Sequence, residues 1–288
     1  MLRRTLLTAA LILGAALPVS AAPQVVAGEL RSPESVAWHA QSGTWFISNM
    51  GGVSFDLGPD AGKGFITRVS GDGSTSQWIT GLDRPRGIAA GPNHLFIAER
   101  TGVAIANIAT ATIVKRWAIA AGNGDLNDIA YDPASDEVFI SAPSVGAIFH
   151  IKSPLGAIAR AEVFVQSPAL TQPNGILVEP ATLTTVGLGF GSATEGFGKV
   201  VSIDRGNKKI TPVTATGLGI LDGIVKDGDD FLVTEYMTGN LYRVARDGTV
   251  LLEMKLLPSS ADLGIDPATR TIGVPETLFN AAAFLPLV

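Results

Sequence analysis

The sequence predicts an all-β fold, a six-bladed β-propeller. A unit of strand, turn, strand, glycine and strand recurs six times at intervals of 40–52 residues, which brackets the blade period of propellers. Only 16% of the residues are charged, and Gly reaches 33; that balance suits many short strands joined by tight turns. The chain shows no run of amphipathic helices of the kind a (β/α)8 barrel places between its strands. A β-sandwich would not explain six units of this length.

Residues 1–21 read as a cleavable secretion signal. Arg3 and Arg4 supply the positive start, Leu6 to Leu17 the apolar run, and Val19-Ser20-Ala21 the small residues after Pro18. The run is shorter than the ~20 apolar residues a membrane span needs. The expectation is a secreted or periplasmic protein, free of the membrane after cleavage, with residues 22–288 forming one domain. The chain has no cysteine, so neither disulfides nor thiolate metal sites are available and the core alone must stabilise it. A net charge of −5 with no basic stripe argues against a nucleic-acid partner.

The first strand of each unit opens on a short motif. In order these are Pro33-Glu34-Ser35, Pro85-Arg86-Gly87, Leu126-Asn127-Asp128, Pro173-Asn174-Gly175, Leu221-Asp222-Gly223 and Ala261-Asp262-Leu263. Second strands such as Trp45-Phe46-Ile47 and Val138-Phe139-Ile140 follow. Third strands begin at glycine in five units, for example Gly102-Val103 and Gly146-Ala147. Asp72-Gly73 and Asp247-Gly248 sit where hairpin turns belong. The sixth unit ends too early for a fourth strand, and the segment from Gln24 to Gly28 has no partner within the first unit. That segment is expected to complete the last blade and close the ring, removing an open edge.

Inner strands of a propeller line its central channel, so the residue opening each should lie near one mouth. The aligned six are Glu34, Arg86, Asn127, Asn174, Asp222 and Asp262, all polar. Glu34, Asn127, Asn174 and Asp222 offer hard oxygen donors of the kind that suit Ca²⁺ or Mg²⁺. A cation would offset the repulsion among Glu34, Asp222 and Asp262. The alternative is a set of inter-blade hydrogen bonds around ordered water.

In these motifs, and in their order at blade spacing, the chain resembles the calcium-dependent phosphotriesterase superfamily. It is most similar there to the gluconolactonase/regucalcin-like (senescence marker protein-like) family, across nearly the whole chain after the leader. The resemblance implies one divalent cation, Ca²⁺ first with Mg²⁺, Mn²⁺ and Zn²⁺ as alternatives, held by Glu34, Asn174 and Asp222. Asn127 would be a fourth ligand or a substrate contact. It implies hydrolysis of a cyclic ester, a small-molecule substrate, with Asp222 as ligand and as base or nucleophile. Regucalcin-like sugar lactonases carry an arginine two residues before the residue matching Asn127. Asp125 stands there in this chain, which points away from an aldonolactone while leaving the metal ligands untouched. Phosphotriester hydrolysis, or a non-catalytic propeller binding a ligand or protein partner, are the other readings.

Arg86, the one cation of the ring, is a candidate to orient a substrate carboxylate or developing oxyanion. Asp262 is a candidate substrate contact, or an ion-pair partner of Arg86, as is Glu34. The loops from Asn49 to Lys63, with Phe55, and from Gly189 to Phe197 should border the mouth and set specificity. Other chemistries fail on inspection: no Gly-x-Ser-x-Gly elbow, dinucleotide fingerprint or EF-hand loop is present. His39, His94 and His150 lie away from the ring and read as turn or packing residues. Trp38, Trp45, Trp78 and Trp117 read as packing between blades.

Overall fold

The computed structural model describes residues 24–27, 29–52, 62–119, 125–190 and 197–287. The proposed leader and Phe55 lie outside the described residues. No helix among the described residues is long and apolar enough to cross a membrane.

Six four-stranded antiparallel sheets form the blades of a propeller. Blade 1 runs through Pro33–His39, Thr44–Asn49, Gly64–Val69 and Thr75–Leu82. Blade 2 opens at Ile88–Ala90, blade 3 at Ile129–Asp132, blade 4 at Pro173–Val178 and blade 5 at Leu221–Asp227. Blade 6 holds Gly264–Asp266, Thr271–Glu276 and Ala281–Pro286, and its outer strand is Gln24–Ala27, in register with Val26 opposite Ala282. The two ends of the chain thus share one sheet.

Strand composition follows position in the blade. Second strands are covered on both faces: Glu137–Ala142 is buried at all six positions, and its sequence is a continuous run rather than an alternation. Outer strands alternate, as Thr112–Ala118 does between half-buried and exposed. The turn entering four of the inner strands is tight. Ser32, Arg84, Gln172 and Ser259 occupy equivalent places there and all have positive φ, from 46° to 69°.

The core is divided among the seams between blades. Phe46 and Ile66 of blade 1 pack with Leu95 and Ile97 of blade 2, and comparable clusters fill the other five seams. The tryptophans belong to this packing. Trp45 lies 4.8 Å from Trp38 and 5.1 Å from Phe284, and Trp78 lies 4.7 Å from Phe46. Trp117 donates to the Pro154 carbonyl across the seam between blades 2 and 3.

On the face opposite the inner-strand starts, arginines staple neighbouring blades. Arg205 reaches Asp132 at 2.8 Å and Glu137 at 3.3 Å. Arg246 and Lys226 hold Glu179 at 2.7 and 3.0 Å, and Arg270 holds Asp227 at 2.7 Å. His39 and His150 bond within their own blades, to Ser42 and Glu137 respectively, and His39 Nε2 also reaches the Pro92 carbonyl of blade 2 at 3.2 Å.

The Arg246 hydrogen bond, reinforced by Lys226, holds the Glu179 carboxyl down at about 2. Its folded pKa is depressed, so the stability it supplies is complete above the unfolded value of ~4.3. That contribution disappears as pH falls toward about 2. The pair is partly solvated, which limits the effect to roughly 1 kcal/mol. Glu179→Gln should therefore lower the denaturation midpoint at pH 7, with the gap from wild type closing between about pH 4 and 2. A gap independent of pH would assign Glu179 a packing role instead.

Candidate functional site

Three inner strands share an irregularity that re-aims their side chains. The pairing register jumps between Pro33 and Val36, between Pro173 and Ile176, and between Leu221 and Ile224. Bulges of this kind bend a strand and redirect a residue, and they gather beside active sites. The residues carried on the three bulges are Glu34, Asn174 and Asp222.

These three line one cavity of about 300 Å³, together with Arg86 and Asn127 from blades 2 and 3. Five of the six residues read as a polar ring thus converge. Glu34 Oε2, Asn174 Oδ1 and Asp222 Oδ1 are all buried and make no hydrogen bond. Three unsatisfied oxygens from three different blades at one cavity are costly unless something positive meets them.

Asp262 is a correction. The backbone amide of Ala261, not Asp262, makes the bond equivalent to those of Arg86 and Asn127. Ala261 donates to Pro275 O at 3.0 Å, as Arg86 does to Ala98 O and Asn127 to Ser141 O, both at 2.9 Å. Ala261 therefore occupies the ring position, and Asp262 lies one residue further down the channel. There it accepts from Ser35 Oγ and is not among the residues lining the cavity. A slip of one residue moves a strand's side chains to the opposite face, and the similarity of Ala-Asp-Leu to Leu-Asp-Gly concealed it.

The deeper tier is itself acidic. Asp128 occupies the same level as Asp262 and accepts from the amides of Ile129 and Ile176 at 2.7 and 2.6 Å. Gly87 and Gly223 leave space for these carboxylates. A Cβ would stand 2.3 Å from Asp128 Oδ1 at the first and 2.6 Å from Asp262 Oδ1 at the second.

Arg86 does not pair with Asp262 or Glu34. Its guanidinium bonds Asp125 at 3.1 Å and the Leu126 carbonyl at 3.3 Å. Asp125, read as the departure from the sugar-lactonase pattern, is thus the anchor of Arg86. Arg84, missed in the sequence, brings a second guanidinium to the cavity wall.

The electrostatics follow from crowding. Burial pushes Glu34 well up, and Asp222 adds repulsion that Arg86 offsets only in part. Burial and Asp262 push Asp222 up to about 8. Burial raises Asp262 to about 7 against the Ser35 hydrogen bond. Burial, then Asp262, raises Asp128 as well.

The apolar wall was not foreseen. Met50, Leu188, Tyr236 and Thr277 line the cavity, and each is the residue directly after a second strand. That shared register position was the available signal. Ile220 and Phe190 complete the wall.

Among the described residues, no group of three or more His, Cys, Asp or Glu side chains is disposed to hold a metal. The set here is two carboxylates and an amide, with Asn127 beside them. Its donors are all oxygen, and three of them lack partners, so the residues fit a hard cation.

The architecture is that of a propeller with an oxygen-donor ring at the start of its inner strands. No family model and no curated protein matches the sequence. Solved structures do share the fold. A gluconolactonase from Xanthomonas campestris aligns at TM-score 0.70 and 14% identity, over 92% of this chain and 89% of that one. Regucalcin from Agrobacterium tumefaciens, a calcium-binding protein, aligns at TM-score 0.65 and 15% identity, over 91% of each chain. Virginiamycin B lyase from Staphylococcus aureus aligns at TM-score 0.62 and 16% identity, over 93% of this chain and 99% of that one. A hydrolase and a lyase share this scaffold, so the chemistry must be argued from the site.

Proposed function

We propose that this chain is a cation-dependent hydrolase of cyclic esters, exported after removal of residues 1–21. The observation that carries the reading is the convergence of three unpaired, buried oxygens on one cavity, from Glu34, Asn174 and Asp222. The fold shared with a gluconolactonase and a calcium-binding regucalcin supports it.

Glu34, Asn174 and Asp222 would hold the ion, with Asn127 beside them. When bound, Ca²⁺ would supply a Lewis acid for the ester carbonyl. The Asp222 carboxylate, whose Oδ1 has no protein partner, accepts a proton from the attacking water and returns it to the departing ring oxygen as the ester C–O bond breaks. Arg86, fixed by Asp125, faces the oxyanion side; its charge remains near enough to be felt at both Glu34 and Asp222. The apolar wall keeps other water from the ring.

The test begins with binding. Ca²⁺ at a hundred times its dissociation constant should stabilise the protein by about 2.7 kcal/mol. For a chain of this size that raises the melting temperature by roughly 5–10 °C, and a chelator should reverse the rise. A lactone panel with and without chelator then checks turnover. A melting temperature indifferent to Ca²⁺, Mg²⁺, Mn²⁺ and Zn²⁺ removes the cation. Binding without turnover of any lactone leaves a ligand-binding propeller.

A further inference from the structure

Of the thirteen exposed large apolar side chains on the described residues, six collect on one face, and the others, such as Val114, Leu251 and Ile158, lie on outer strands or in the 153–160 connection. The six are Phe190, Phe197, Met237, Leu257, Leu278 and Phe279, each about half exposed. All six lie in connections on the cavity face, within blades 4, 5 and 6. The opposite face carries the arginine staples.

Phe190 links two spaces. It lines the ring cavity beside Leu188, Ile220 and Tyr236. It also lines a second cavity of about 340 Å³ between blades 3 and 4, whose other walls include Pro143, Gly146, Pro168 and Phe197. The two spaces therefore adjoin at one aromatic ring. The polar ring handles one end of a bound molecule, while the groove past Phe190 sets Pro143, Pro168 and Phe197 beside the polar Ser144, Ser167, Thr171 and Gln172. An apolar arm lying there would take surface of Phe190, Phe197 and the two prolines out of water.

We propose that the site takes a lactone bearing an extended apolar substituent, whose arm passes Phe190 and lies in the groove between blades 3 and 4. This rests on the ester-hydrolase reading of the ring. Phe190 and Phe197 are specificity-determining residues in this scheme, and the half-exposed collar is the part of the site that the arm covers. The arm gains from leaving water in proportion to the surface it buries.

The experiment uses the Ca²⁺-loaded chain and non-hydrolysable lactams, so that binding is read apart from turnover. Calorimetry compares γ-butyrolactams carrying no substituent, propyl, hexyl and decyl chains with gluconolactam. Affinity should rise roughly two- to fourfold per methylene until the groove is full, and gluconolactam should bind more weakly than the hexyl compound. Phe190→Ser and Phe197→Ser, both at exposed positions, should keep the melting temperature and flatten the chain-length slope. A flat wild-type slope, or tighter gluconolactam, overturns the proposal. So does adsorption to phosphatidylglycerol vesicles that both variants abolish while the lactam slope is flat, which would make the collar a lipid-docking surface. A steep slope with no turnover of the matching lactones keeps the ligand class and removes the hydrolase. Turnover of lactones regardless of chain length keeps the hydrolase and removes the arm.

Discussion

Asp222→Asn should leave a folded propeller with turnover reduced about 10³-fold or more, the range lost when a positioned general base is removed. The amide retains shape and one oxygen donor but neither the charge nor the proton acceptor. Stability should move the other way. Asp222 is buried beside Glu34 and above Asp262, so neutralising it relieves repulsion in the cation-free protein. The variant should melt at or above the cation-free wild type, and added Ca²⁺ should raise its melting temperature far less. Asp262→Asn is the control for the tier assignment. Asp262 bonds Ser35 and does not line the cavity, so its variant should lose less than about tenfold in turnover, below the usual contribution of a catalytic acid or base. Equal activity losses in the two variants would return Asp262 to the ring. Near-wild-type turnover in Asp222→Asn would end its role as base.

Val26→Asp should be among the most destabilising single changes in the chain, at about 3 kcal/mol or more, because it buries an unpaired charge. Val26 packs with Val36, Ile47, Val69 and Phe284 at the seam where the ring closes. For a domain of this size the loss corresponds to a fall of roughly 6–12 °C in melting temperature. Loosening this strand also uncovers the edge of Ala281–Pro286, a template for intermolecular pairing, so light scattering should rise with unfolding. Val25 is two-thirds exposed on the other face of the same strand. Val25→Asp should be within ~0.5 kcal/mol of wild type, as surface changes generally are. Equal melting temperatures for the two variants would mean that closure through this strand does not hold the ring.

The sequence by itself determined the blade count, the strand order within each blade and the polar residue that five of the six blades bring to the cavity. These are local properties. A strand declares itself by a few consecutive apolar residues, a hairpin by its turn pair, and a propeller by repeating them. Gln24–Ala27 was legible as the closing strand because a unit short of one strand and a strand short of a unit must meet. Only the tertiary structure decided the sixth register, where Ala261 and not Asp262 stands at the ring, because register depends on which residues pair across the sheet rather than on which motif they resemble. The partner of Arg86 was hidden for a related reason. Asp125 lies 39 residues away in the chain, and only the packing of blade 2 on blade 3 brings the two together. The wall formed by Met50, Leu188 and Tyr236 is of the same kind: each follows a second strand, but only the closed ring turns that shared position toward one cavity.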